Sequence, residues 1–130
     1  MSQLKRLNHN IRYRQRNLDV WLNNLDSEKF FVNFNREGNS NFSLPLILIE
    51  KDLNLLKKVC KLLDNIGVEY RVGTAGGGSQ ARQPYLEKYD FITYDLTNVN
   101  HIHDFGLYVG NHPELLSHDI ETLCRKLNNV

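Results

Sequence analysis

The feature that most constrains the fold of this sequence is a long amphipathic helix at its start. The segment SQLKRLNHNIRYRQRNLDVWLNNLD repeats apolar residues at the three- and four-residue spacing of an α-helix. These residues form one stripe, made of Leu4, Leu7, Ile11, Leu18, Trp21, Leu22 and Leu25. The chain has 130 residues, which suits one domain. We predict a single domain, with a long amphipathic helix over residues 1–26 and an α+β region over residues 27–130.

The opposite face of this helix is basic, and it carries Lys5, Arg6, Arg12, Arg14 and Arg16. A basic face can bind RNA, but no aromatic platform accompanies these charges. The formal net charge of the chain is only +1, which gives no reason to expect a polyanion or a membrane surface as partner. We interpret the face as solvated, or as docked on a partner, and expect neither nucleic acid nor membrane binding.

Short strands and two further helices follow. KFFVNF, FSLPLILIE, VEYRV and GLYVGN have the composition of strands, and Pro45 indicates an edge strand or a bulge. Asp52 is expected to cap one helix and Gly67 to end it, whereas Ser117 is expected to cap the last helix. The segment between the last two strands is expected to be irregular or partly helical. This order predicts an α+β fold, a two-layer sandwich in which helices cover a small mixed or antiparallel sheet.

The two cysteines, Cys60 and Cys124, both fall on apolar faces of predicted helices. We expect buried free thiols, which behave as small apolar side chains and suit a reducing compartment. The sequence has neither an apolar run of membrane-spanning length nor a signal-peptide pattern at its start. A cytoplasmic location is the expectation.

The stretch GTAGGGSQARQPYL invites comparison with phosphate-binding loops. A Walker A loop needs a lysine that is absent here. Gly76, Gly78 and Ala81 match the dinucleotide fingerprint, but Pro84 interrupts the helix that this motif should open. A loop without function would leave the compact basic and amide group that follows unexplained. Mobile backbone beside Arg82 suits closing over an anionic ligand.

Two histidine-containing motifs are weaker candidates. On a strand, His101 and His103 of HIHD could share a face and bind a metal, but a second ligand cluster is missing, so we expect surface histidines and no metal site. Asn111 and His112 of GNHP follow a predicted strand, which is a usual place for a ligand-contacting loop and equally for a simple turn. No local signature of a catalytic triad is present.

Taken in order, these pieces resemble the C-terminal region of the DegT/DnrJ/EryC1/StrS family, the vitamin-B6-dependent nucleotide-sugar aminotransferases and dehydrases. The resemblance is carried by GVEYRVGTAGGGSQARQPYL and LTNVNHIHDFGLYVGNHPELLSHDIETLCRKLNN. RLNHNIRYRQRNLDVWLNNLD resembles the helix that leads from the large domain of these enzymes into the small one, and FSLPLILIEKD resembles the first strand of the small domain. The nearest likeness is to the CDP-4-keto-6-deoxyglucose 3-dehydrase branch.

The resemblance implies that the glycine-rich stretch and its Arg-Gln-Pro lie beside the active-site cleft. Arg82 would contact the anion or the sugar, although the loop is extended here by additional glycines. The substrate-binding residues implied in this way are Arg71, Gly76, Arg82, Gln83, Tyr85, Asn111 and His112.

The resemblance also implies what this sequence lacks. The catalytic residues of the family and the groups that hold pyridoxal or pyridoxamine phosphate (PLP or PMP) lie in a large domain. We therefore expect no catalytic residue and no bound cofactor in this chain alone. The chain would be half of a split enzyme, a truncated gene product or a fragment, with a large-domain chain and a nucleotide sugar as partners in pathways such as lipopolysaccharide biosynthesis. The alternative is a non-catalytic binding module for a nucleotide sugar or another anion. If the first helix normally docks on a large domain, Tyr13 and Trp21 would be exposed and would favour a homo-oligomer.

Overall fold

The computed structural model describes residues 2–37, 41–73, 78–91 and 94–130. Two short 3-10 turns, Gln80–Arg82 and Pro84–Leu86, lie between the second strand and the third helix. Within the described residues the chain forms four α-helices and three strands, which confirms the predicted α+β class. In chain order these are α1 (Ser2–Asn24), β1 (Ser43–Ile47), α2 (Leu53–Asn65), β2 (Tyr70–Val72), α3 (Thr97–Phe105), β3 (Gly106–Gly110) and α4 (Ser117–Asn128).

The three strands form one sheet in the order β1-β3-β2. Strand β2 runs antiparallel to β3, with Arg71 opposite Tyr108. Strand β1 lies at an edge, as Pro45 predicted, because a proline has no N–H to donate to a second neighbour. The strand predicted for KFFVNF does not form and leaves only an isolated bridge at Phe30. Its early N–H groups are used locally instead, since the Phe30 N–H donates to the Asp26 carbonyl.

The chain divides into two compact units, Met1–Leu44 with Gly110–Val130, and Pro45–Val109. We call them the helical unit and the sheet unit. The core of the helical unit lies between α1 and α4. Its fully or almost fully buried apolar residues are Leu18, Trp21, Leu22, Leu25, Phe30, Leu44, Ile120, Cys124 and Leu127.

The expectation that Trp21 is exposed is wrong, because α4 packs on α1 at this position. The Trp21 side chain is completely buried, and the Cys124 thiol of α4 donates to the Trp21 carbonyl at 3.7 Å. Tyr13 does lie at the surface, as do Leu4 and Leu7 near the start of α1. The apolar stripe of this helix is therefore buried only in its second half.

Two arginines on the basic face of α1 form hydrogen bonds within the helical unit. Arg14 donates to the Asn111 carbonyl at 3.2 Å, and Arg16 donates to the Leu115 carbonyl at 3.2 Å. The predicted cap of α4 is wrong, because the helix already begins at Ser117 and no side chain caps it.

Local signals in the sheet unit are confirmed. The Asp52 carboxylate accepts hydrogen bonds from the N–H groups of Asn54 and Leu55, at 2.8 and 3.0 Å, and so caps α2. Gly67 follows α2 with a φ of +69°, a conformation that glycine adopts without strain. The buried apolar residues of this unit are Leu46, Leu48, Val59, Leu63, Phe105, Leu107 and Val109.

Both cysteines are free thiols, as predicted, although Cys60 is only half-buried while Cys124 is buried. Among the described residues, no helix combines the length and the apolar character needed to cross a membrane.

Candidate functional site

The candidate site is built on the chain that leaves β2. We call its described residues, 73 and 78–85, the glycine-rich segment. Strand β2 delivers Arg71, which is exposed, to the start of this segment. Gly73 follows with a φ of +51°, in the left-handed region that favours glycine. Gly76, one of the predicted site residues, lies outside the described residues.

Gly73 and Gly78 are joined through their backbones. The Gly78 N–H donates to the Gly73 carbonyl at 2.8 Å. A Cβ at position 78 would lie 2.4 Å from Nδ1 of His103 and 2.8 Å from the Gly73 carbonyl oxygen. Position 78 therefore requires glycine for space, which differs from the requirement for a left-handed conformation at position 73.

Arg82 ends the first 3-10 turn, where its N–H donates to the Ser79 carbonyl. Its Nη1 donates to Oδ1 of Asp104 at 2.7 Å, and the two side chains are 43% and 42% exposed. An ion pair this exposed contributes only about 0.2–1 kcal/mol. A ligand with a diphosphate can therefore compete with the carboxylate for the guanidinium at small cost.

The predicted neighbours of Arg82 occupy the adjoining turns. Gln83 is half-buried, and Pro84 opens the second 3-10 turn with the backbone angle that such a turn needs. Tyr85 is 58% exposed, and its hydroxyl accepts a hydrogen bond from the side-chain amide of Gln80. The sheet unit thus brings one guanidinium, two amides and a phenol together within two consecutive turns.

The histidines of HIHD were not identified as part of this site from the sequence. Both are half-buried, contrary to the expectation of surface histidines. His101 forms a hydrogen bond with the Leu48 carbonyl at 2.7 Å, whereas Nδ1 of His103 accepts from the Ser79 N–H at 3.0 Å. Because the motif lies on a helix and not on a strand, residues two apart point in different directions. In the described part of the chain, no three His, Cys, Asp or Glu side chains are grouped to hold a metal.

Ser79 is the buried residue of the segment, with 1% of its surface exposed. Its hydroxyl has no hydrogen-bond partner among the residues that the structure describes. An unpaired buried hydroxyl costs about 1–3 kcal/mol, so its presence here is a local weakness in the packing of the segment.

Asn111 and His112 belong to the helical unit. The Asn111 side chain is 3% exposed, and its Nδ2 donates to the carbonyls of Arg14 and Asn41 at 3.0 and 2.8 Å. Its Oδ1 accepts from Nδ2 of Asn17 at 3.0 Å. His112 is exposed, and its carbonyl accepts from the same Asn17 amide at 3.0 Å. The amide of Asn111 is thus used within the helical unit.

The two thiols are unsuited to nucleophilic chemistry. Burial, reinforced by the Glu121 carboxylate, raises the pKa of Cys124 to about 12. Burial also raises the pKa of Cys60. Both side chains therefore remain protonated at neutral pH, whereas the reactive form of cysteine is the thiolate.

Comparison with solved structures places this architecture among known enzymes. A GDP-4-keto-6-deoxymannose-3-dehydratase with a trapped PLP-glutamate geminal diamine superposes with a TM-score of 0.82 at 25% identity, covering 97% of this chain and 33% of that chain. A mutant dehydratase (ColD) with bound GDP-perosamine gives a TM-score of 0.81 at 25% identity, with the same coverage. The Helicobacter pylori aminotransferase PseC, of pseudoaminic acid biosynthesis, gives 0.74 at 17% identity, covers 98% of this chain and 35% of that chain, and supports the fold alone.

The chain spans about a third of the length of these proteins. No protein-family model and no curated protein sequence matches it. The narrower expectation of a CDP-sugar branch stays a prediction, because the dehydratases named above act on a GDP sugar. The superpositions nevertheless cover nearly the whole chain, and with them the resemblance to the DegT/DnrJ/EryC1/StrS family is confirmed: this chain has the small-domain fold of the PLP-dependent nucleotide-sugar dehydratases and aminotransferases.

Proposed function

We propose that this chain is the substrate-facing small domain of a nucleotide-sugar 3-dehydratase or aminotransferase, which works together with a large-domain region. The observation that carries the proposal is the superposition of 97% of the chain on one third of GDP-4-keto-6-deoxymannose-3-dehydratase, a mutant of which holds bound GDP-perosamine. The reaction would be C3 deoxygenation or amination of a nucleotide-linked 4-keto sugar.

In this proposal the glycine-rich segment contacts the sugar nucleotide. The Arg82 guanidinium supplies the positive charge for the diphosphate, since it is half-exposed and its ion pair with Asp104 is weak enough to be exchanged. Gln83 and Tyr85 present an amide and a phenol on the following turn, which suits hydroxyl groups of a sugar. Arg71, which is exposed on β2, would supply a further positive charge ahead of the segment. Asn111 and His112 stay predictions as secondary contacts.

The described residues in and around the glycine-rich segment do not make a PLP site. Such a site needs a base for the reacting carbon, an acid beside the pyridine nitrogen and a phosphate-binding group. Residues 73–86 contain no lysine, the Asp104 carboxylate pairs with Arg82, and Nδ1 of His103 is used by Ser79. We therefore assign the cofactor to the large-domain region and assign this chain to substrate binding.

Calorimetric titration with GDP-mannose and CDP-glucose tests the proposal. We expect saturable binding, with Arg82→Ala lowering the affinity about 10- to 100-fold, because a hydrogen bond to a charged group contributes about 1.5–3 kcal/mol. Arg36→Ala is the matched control, since Arg36 also pairs with one exposed carboxylate, that of Asp19, and is equally exposed at 43%. Preference between the two nucleotides would identify the branch.

If neither nucleotide sugar binds, or if both variants lose affinity equally, the assignment of the glycine-rich segment is wrong. The second candidate function is a binding module without turnover. It is favoured by the fact that the described contacts of Arg82 and Tyr85 arise within this chain. Tight binding that adding a large-domain chain neither strengthens nor converts into turnover would support that function instead.

A further inference from the structure

Helix α3 contacts the glycine-rich segment at two consecutive residues. Nδ1 of His103 accepts the Ser79 N–H, and Oδ1 of Asp104 accepts from Nη1 of Arg82. Ser79 and Arg82 are themselves joined, because the Arg82 N–H donates to the Ser79 carbonyl at 3.1 Å. Helix α3 therefore forms hydrogen bonds at both ends of the turn that carries the arginine, at Ser79 and at Arg82.

The imidazole of His103 also packs against the base of the segment. A Cβ at Gly78 would lie 2.4 Å from Nδ1, and a Cβ at Gly73 would lie 3.5 Å from Nε2. The ring therefore lies against both of the glycines that flank residues 74–77. This contact explains why the chain has glycine at position 78, where any side chain would displace the ring or the backbone.

The hydrogen bond from the Ser79 N–H requires an acceptor atom in the side chain at position 103. A backbone N–H donates, so Nδ1 must be an unprotonated acceptor, and the neutral ring then carries its proton on Nε2. The Ser79 residue is buried, with 1% of its surface exposed, so water does not readily replace this acceptor. An apolar side chain at 103 would leave the N–H without a partner.

We propose that His103 is a positioning residue that sets the glycine-rich segment, and through it Arg82, in the geometry needed for anion binding. The binding part of this inference rests on the function proposed above. His103 acts through Ser79 and Gly78, and Asp104 supplies the second contact by orienting the guanidinium directly. His103 is neither a metal ligand nor a contact of the substrate in this assignment.

Amide hydrogen exchange in the free chain tests the positioning role without any ligand. We expect His103→Ala to accelerate exchange of the Ser79 N–H about fivefold to tenfold, as loss of one net hydrogen bond implies. His103→Asn should restore protection, because the asparagine Oδ1 takes the place of Nδ1 as acceptor. The Leu48 N–H, which donates to the Phe105 carbonyl in the same unit, reports any general loss of stability.

His101→Ala is the matched control, since that histidine lies on the same helix and bonds the Leu48 carbonyl instead. It should leave exchange at Ser79 unchanged relative to the wild-type chain. If Ser79 exchanges equally fast in the wild type and in His103→Ala, the positioning role is wrong. If His103→Asn behaves like His103→Ala, the acceptor is not what matters, and the inference is equally overturned.

Titration with GDP-mannose then separates this inference from the proposed function. We expect His103→Ala to weaken binding about fivefold to tenfold and His103→Asn to recover it. Loss of Ser79 protection in a chain whose wild type binds no nucleotide sugar would uphold the positioning of the segment and refute the proposed function. Binding that is unchanged in His103→Ala while Ser79 is deprotected would refute the link between the two.

Discussion

Removing the side-chain amide of Asn111 should lower the free energy of unfolding substantially. This amide makes three side-chain hydrogen bonds, to the carbonyls of Arg14 and Asn41 and to the amide of Asn17. Asn111 and Asn17 are 3% and 0% exposed. Each net hydrogen bond contributes about 1 kcal/mol, so Asn111→Ala should lower the free energy of unfolding by about 3 kcal/mol. Carbonyls left unpaired would add to this.

Urea unfolding followed by circular dichroism measures the effect. With a denaturant dependence of about 2 kcal/mol per molar, the midpoint should fall by roughly 1.5 M without a change in slope. Asn111→Asp should be at least as destabilising at neutral pH, because a carboxylate cannot donate to the two carbonyls and would be buried beside them. Asn129→Ala is the control, since its amide makes one exposed bond to the Arg125 carbonyl and should change stability by less than about 0.5 kcal/mol.

A loss below about 1 kcal/mol in Asn111→Ala would refute this reasoning, because it would mean that water satisfies the freed carbonyls. The same variant distinguishes a structural role from the predicted substrate contact. A residue that mainly contacts substrate would leave the unfolding midpoint unchanged and lower the affinity for the nucleotide sugar.

Two further predictions concern buried groups. Ser79→Ala removes a buried hydroxyl that has no partner in the described structure, so thermal unfolding should show no destabilisation, and a loss above about 1 kcal/mol would reveal a partner for that hydroxyl. The pKa of Cys124 is raised to about 12, so folding favours the protonated thiol. The resulting stability is fully present below pH 9 and is lost as the pH rises towards 12, and Cys124→Ala should flatten that part of the pH–stability curve, measured with denaturant. If the curves of the two chains fall in parallel, the burial effect is absent.

The predictions that held are those that depend on neighbouring residues. The Asp52 cap needs only N–H groups two and three residues away, and Gly67 needs only its own backbone angle. The edge position of Pro45 follows from the missing N–H of proline. These interactions lie within one turn of helix or one strand, so the local sequence carries the whole cause. The cap predicted at Ser117 and the strand predicted for KFFVNF did not form, so the local sequence signal did not determine the structure at these two places.

The candidate site was found only in part from the sequence, for a different physical reason. The motif around Arg82 was visible, but its partner Asp104 is 22 residues away, and His103 is 24 residues from Ser79. A strand at HIHD would put both histidines on one face, whereas helix α3 turns them towards different partners. Asn17 and Asn111, which bond directly, are 94 residues apart.

By itself, the sequence determined helix α2 with its Asp52 cap, the α+β class and the glycine-rich segment with its arginine, because each is encoded by residues in short succession. Tertiary structure decided the rest. It determined that Trp21 is buried under α4, that Asn111 is committed to a buried amide network, and that His103 holds the base of the segment. Burial and buried hydrogen bonds depend on which surfaces meet after the chain has folded, and periodicity along a single helix does not contain that information.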